Sequence, residues 1–79
     1  MNHIASIVFS NANTLTSIEW SVIRLVGAGL RNRDISRHLA LKEPSVRKVL
    51  TAIYGKMGID NRLKAALWYA KYQYERHVQ

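Results

Sequence analysis

Pro44-Ser45-Val46-Arg47-Lys48-Val49-Leu50-Thr51-Ala52-Ile53-Tyr54-Gly55-Lys56-Met57-Gly58 is the stretch that decides the fold. Proline suits the first position of a helix, where its missing N–H costs nothing, and Gly58 suits a stop. At about 100° per residue, Val46, Leu50, Ile53 and Met57 fall on one stripe, which predicts a helix over 44–57 with that stripe in the core. Val49 and Tyr54 flank it. Pro44, Arg47, Lys48, Thr51 and Gly55 fall on another side, with no acidic side chain among them.

Working outward, Ala40-Leu41-Lys42-Glu43 is too short for anything but a turn. Before it, Arg33–Leu39 reads as a short helix capped by Asn32, with Ile35 and Leu39 pointing inward. Two helices joined so tightly predict a helix-turn-helix arrangement. Further upstream, Thr16-Ser17-Ile18-Glu19 is a capping box. Ile18, Val22, Leu25 and Val26 share one face of the helix it opens, and Gly29 is its natural left-handed end. Downstream, Asp60 or Asn61 caps a fourth helix that continues to about Tyr74. The expected architecture is all-α, four helices over 15–79 with an N-terminal extension at 1–14. The extension ends in a polar linker, Ser10–Thr14, and is the one place a short strand could lie.

Composition narrows the function. The 79 residues fit one domain and leave little room for an enclosed catalytic pocket. There is no cysteine, and His3, His38 and His77 have no matched ligand spacing, so neither a metal nor another cofactor is expected. No paired carboxylates, nucleophile–base pair or Gly-rich phosphate loop points to an enzyme. Twelve Lys or Arg against five Asp or Glu give a formal charge of +7, which favours a polyanionic partner. No apolar run approaches the roughly 20 residues that span a bilayer, and Met1–Ser10 lacks the pattern of a signal peptide. A cytoplasmic location is expected, and no membrane partner.

The basic residues are concentrated. Arg31, Arg33, Arg37, Lys42, Arg47 and Lys48, six of the twelve, fall between 31 and 48. A helix entering the major groove of DNA needs long donors in its N-terminal half. Arg47 has the fork for guanine, Lys48 reaches guanine or phosphate, and Thr51, one turn on, hydrogen-bonds or packs its methyl on thymine. Gly55 leaves room for the sugar-phosphate backbone. A basic face in an arbitrary helix is more often merely solvated; the turn and the preceding capped helix favour DNA here.

From Leu15 to about Ala70 the chain resembles the LuxR/GerE-type DNA-binding domain of bacterial transcription regulators. The residues that carry the likeness are Leu15-Thr16-x-x-Glu19, Val22-Ile23-x-Leu25-Val26-x-x-Gly29-Leu30, Asn32-Arg33-Asp34-Ile35-Ser36, Leu39, Ser45-Val46-Arg47, Ile53-Tyr54-x-Lys56-Met57-Gly58-Ile59 and Asn61-Arg62-x-x-Ala65. The resemblance implies a recognition helix in the major groove and a homodimer through the fourth helix. Lys48 and Thr51 match positions with which family members touch bases; with Arg47 they are the expected base contacts, and Arg33, Lys42, Ser45 and Lys56 are the expected phosphate contacts. Ile18, Ser36, Lys42 and Val49 depart from the family's usual Arg, Ala, Ser and His, so the preferred DNA sequence is not transferable. The chain is expected to be standalone, without the receiver or ligand-binding domain that such regulators commonly carry.

Three features need separate readings. Glu19 is expected in the capping box and, by the family pattern, paired with Arg62. On the fourth helix, Leu63, Ala66, Leu67, Ala70 and Tyr74 form one apolar stripe, while Ala65, Trp68, Tyr69 and Tyr72 occupy another side. A helix apolar on two sides implies an interface. The first set is the expected dimer contact; docking of the extension is the alternative, and periodicity alone does not say which stripe faces the core. Trp20 lies off the core stripe, either simply exposed or against the Ile4, Ile7, Val8 and Phe9 patch or another protein. The main functional expectation is a DNA-binding transcription regulator. The competing one is a protein-interaction module that sequesters another regulator through the 61–74 helix and the extension.

Overall fold

A computed structural model of the chain describes residues 14–77, which form four helices and no strand. They are α1 (Ser17–Gly27), α2 (Asn32–Leu39), α3 (Glu43–Met57) and α4 (Arg62–His77). The extension, with the expectations placed on Ile4, Ile7, Val8 and Phe9, lies outside the described residues.

The start of α1 is the capping box expected from Thr16 and Glu19. The Thr16 N–H donates to Glu19 Oε1 at 2.8 Å, and the Glu19 N–H donates to Thr16 Oγ1 at 3.3 Å. Its end is a Schellman turn: Leu30 N–H reaches the Leu25 carbonyl, Gly29 N–H reaches that of Val26, and Gly29 sits at φ +91°. α1 is the hub of the fold, packing on both α3 and α4, whereas α2 packs chiefly on α3. Two neighbours widen its buried arc. Val22, Leu25 and Val26 are buried as expected, but Ile23 is fully buried as well, and Ile18, expected inside, is 39% exposed.

α2 begins one residue earlier than the sequence suggested, and Asn32 does not cap it. Arg31 holds the extended cap position with no side-chain bond to the helix. The Asn32 amide oxygen accepts instead from Arg62, so a tertiary contact takes the group that capping would have used. The helix exits through the same hydrogen-bond pattern as α1, from Leu41 to Ser36 and from Ala40 to Arg37. Here the left-handed position is Ala40, at φ 56°, a conformation that costs a non-glycine residue roughly 1 kcal/mol.

α3 starts at Glu43, with Pro44 in its first turn, and closes at Gly58. Val46, Leu50, Ile53 and Met57 are its buried residues, as the periodicity required. Asn61 caps α4, its side-chain oxygen accepting from the Lys64 N–H at 2.9 Å, and the helix runs past Tyr74 to His77.

The inner stripe of α4 is the aromatic one. Ala65 is buried, and Ala66, Trp68 and Tyr69 pack on the core. Trp20, expected to be exposed or against the extension or another protein, is half-buried instead, its ring 4.8 Å from that of Tyr72 and 5.9 Å from that of Trp68. Those contacts lie on α4, which the wheel of α1 alone could not show. A side-chain carbon added at Gly27 would stand 2.7 Å from the Tyr69 ring, so that glycine sets how closely α4 lies on α1.

Candidate nucleic-acid interface

Burying one stripe of α3 forces its other side outward. Arg47, Lys48 and Thr51 are all exposed, one helical turn or less apart. Thr51 Oγ1 donates to the Arg47 carbonyl at 3.0 Å, which commits its hydrogen within the helix. What Thr51 presents outward is therefore a methyl group and acceptor lone pairs, a narrower role than the hydroxyl has in general. Gly55 is exposed, and a methyl group there would meet nothing within 4 Å. Its lack of a side chain serves no packing need inside the domain.

The surrounding cations are mostly unneutralised. Among the described residues the ion pairs are Lys56–Glu19 and Lys64–Asp60. Neither involves Arg31, Arg33, Arg37, Lys42, Arg47 or Lys48, all of which are exposed. Lys42 stands at the start of α3 with no side-chain cap bond, and Ser45 is exposed in its first turn. Six such charges within residues 31–48 add to the positive field of the chain, which a polyanion neutralises.

Lys56 is placed differently from the other expected phosphate contacts. Its ammonium donates to Glu19 Oε1 at 2.7 Å and to the Thr14 carbonyl at 2.9 Å, tying the last turn of α3 to the entry of α1. This corrects the expected Glu19–Arg62 pair: Lys56 is the partner of Glu19. Burial disfavours the charged carboxylate of Glu19, but the Lys56 ammonium and the Thr16 N–H and hydroxyl outweigh it and hold the pKa below its ordinary 4.5. Asp60 is held below its usual value by its hydrogen bond to Lys64.

Arg62 faces another way. One end of its guanidinium donates to Asn32 Oδ1 at 2.7 Å and the other to the Leu30 carbonyl. With Arg31, Asn32, Arg33 and Glu43 it lines an open cleft of about 490 Å³ beside the start of α2. The sequence marks Arg31 only as one of the clustered cations and gives Glu43 no role at all. The signal is tertiary, because 30 residues separate Arg62 from Asn32.

The expected interface stripe of α4 is on the outside. Leu63, Leu67 and Tyr74 are 68%, 59% and 66% exposed, Ala70 is exposed, and Ala66 is half-buried. The periodicity of α4 left its core side undecided; the structure assigns it to Ala65, Trp68 and Tyr69.

The description of bacterial regulatory proteins of the luxR family, GerE, matches residues 13–69. The chain belongs to this family. Among its luxR-family relatives, an HTH-type transcriptional regulator of Mycobacterium tuberculosis is 39% identical over 51 residues, 65% of this chain and 6% of that protein. The transcriptional regulatory protein DesR of Bacillus subtilis is 34% identical over 58 residues, 73% of this chain and 29% of DesR. The nitrate/nitrite response regulator NarL of Escherichia coli is 33% identical over 58 residues, covering 73% of this chain and 27% of NarL. The chain thus spans less than a third of the length of each of these relatives. No solved structure matches it significantly. The four-helix fold is that expected of a luxR-family helix-turn-helix domain, and no described helix is long and apolar enough to cross a membrane.

Proposed function

We propose that the chain is a transcription regulator that binds double-stranded DNA, with α3 in the major groove, as a homodimer. The observation that carries this reading is the exposed face of Arg47, Lys48 and Thr51, on the helix whose other stripe is buried. Arg31, Arg33, Arg37 and Lys42 come close before it in sequence and stand outside the ion pairs of the described residues. Arg47 and Lys48 donate to base edges, and Thr51 offers its methyl group or its lone pairs. Arg33, Lys42 and Ser45 hold phosphates; Lys56 contributes to the frame, since its ammonium is already engaged by Glu19 and Thr14. The outward stripe of Leu63, Leu67, Ala70 and Tyr74, with Ala66 at its edge, supports pairing of two copies, which would set two recognition helices on two half-sites. The role implies a cytoplasmic location, without an enzymatic activity of its own.

Binding of this kind is steeply salt-dependent, because phosphate contacts release counterions. A titration with duplex DNA at several salt concentrations tests it. Wild type is expected to bind with a steep slope, and Arg47→Ala to lose about 1–3 kcal/mol and relax its preference at one base. Indistinguishable affinities for wild type and Arg47→Ala at every salt concentration would defeat the assignment.

The same apolar stripe on α4 favours a second reading, a module that captures another regulator. A complex with that regulator that survives Arg47→Ala and is lost in Leu67→Lys would support it.

A further inference from the structure

We propose that Arg62 is a positioning residue for DNA binding, setting the start of α2 so that Arg31 and Arg33 engage the phosphate backbone together. This rests on the DNA-binding reading above. Arg62 lies at the first position of α4, outside the helix-turn-helix pair, and is half-buried. Its guanidinium spans two acceptors on the segment that leads into α2, Asn32 Oδ1 and the Leu30 carbonyl. A planar fork offers each acceptor its own nitrogen in a fixed geometry, whereas an ammonium must serve both from one atom on a flexible stem.

The consequence lies at the ends of that segment. Held by Arg62, Asn32 becomes the first helical residue and Arg31 the extended cap residue, with no side-chain bond closing the helix start. Arg31 and Arg33 therefore flank the anchored Asn32, both exposed, both without an ion pair among the described residues, and both on the wall of one cleft. Glu43 shares that cleft. A carboxylate there makes it a poor trap for a small anion and leaves the arginines to a polyanion lying across its mouth. Releasing Asn32 from Arg62 would let the start of α2 shift and separate the two guanidinium groups from a common backbone.

The test uses the full chain, the duplex it prefers, and two variants that leave the net charge unchanged, Arg62→Lys and Asn32→Ala. Arg31→Ala serves as the reference for a lost phosphate contact. Affinity is measured against salt, well below the melting temperature of each variant. Arg31→Ala is expected to reduce the magnitude of the salt slope by about 1. Arg62→Lys and Asn32→Ala are each expected to reduce it by a similar ~1 and to weaken binding roughly tenfold, although neither removes a charge. A purely structural role would lower melting temperatures and leave the slopes of the folded proteins unchanged, which would overturn the proposal. A reduced slope in Arg62→Lys with an unchanged one in Asn32→Ala would overturn it too, by showing that the Arg62–Asn32 contact does not carry the effect. Absence of duplex binding by wild type would overturn the DNA reading and this inference with it, whereas binding with unchanged slopes overturns this inference alone.

Discussion

α3 and α4 are built alike and finished differently. Each buries one stripe against the core and leaves another bare. On α3 the bare residues are Arg47, Lys48 and Thr51; on α4 they are Leu63, Leu67, Ala70 and Tyr74. A bare cationic face is well hydrated and waits for a polyanion at little cost. A bare row of large apolar side chains gains from leaving water, so it calls for another protein surface. The contrast between the free faces, more than the fold itself, separates a nucleic-acid contact from a protein contact within one small domain.

The largest effect should come from the buried side of that contrast. Ile53→Ala is expected to cost about 2–5 kcal/mol, since Ile53 is fully buried in the core. Leu67→Ala should change the stability of the dilute protein by roughly 0.5 kcal/mol or less, because Leu67 is 59% exposed. Denaturant melts of both variants check this; equal losses would mean that the outer stripe of α4 is not free.

The two faces should also separate in function. Arg47→Ala should weaken DNA binding by about 1–3 kcal/mol without changing solution mass. Leu67→Lys should lower solution mass towards the monomer and weaken binding to a two-half-site duplex more than to a single half-site. Sedimentation of each variant, beside its binding curve, would break the comparison if one substitution altered both properties alike.

Smaller effects concern backbone conformation. Ala40 occupies a left-handed position where a side chain is strained, so Ala40→Gly should stabilise the fold by up to ~1 kcal/mol. Gly55 lies in the last turn of α3 with nothing near it, so Gly55→Ala should stabilise by up to ~0.5–1 kcal/mol while weakening DNA binding. Thermal melts read both, and unchanged DNA affinity in Gly55→Ala would remove that glycine from the interface.

The smallest effect is on pH dependence. A carboxylate whose pKa is lowered by folding stabilises the fold above its unfolded value and ceases to do so as pH falls through the folded one. Glu19 should therefore contribute near neutrality and lose its contribution below about its ordinary 4.5. Melting temperatures of Glu19→Gln should depend on pH less steeply than wild type in that window, with Asp60 supplying part of what remains. Parallel profiles would show that ionisation of Glu19 adds nothing to stability.

The parts legible in the sequence were those decided within one helix. The buried stripe of α3 was readable because its neighbours cover a single side, and the Thr16–Glu19 box because its partners are three residues apart. α1 was read less well: α3 and α4 both pack on it, so Ile23 is drawn inside and Ile18 left out. Lys56 reaches Glu19 across 37 positions and Arg62 reaches Asn32 across 30, distances at which no local pattern identifies the partner. The left-handed turn at Ala40 carried no signal either, because that position is usually marked by glycine or asparagine and here holds neither.

The central claim is that the bare face of α3 reads DNA. Its most direct test is selection of bound duplexes from a random pool, performed in parallel with wild type and Arg47→Ala. The account predicts that wild type enriches a site with two related halves and that Arg47→Ala loses preference at one position in each. Enrichment of no sequence by wild type, or the same site with undiminished preference from both proteins, would contradict it.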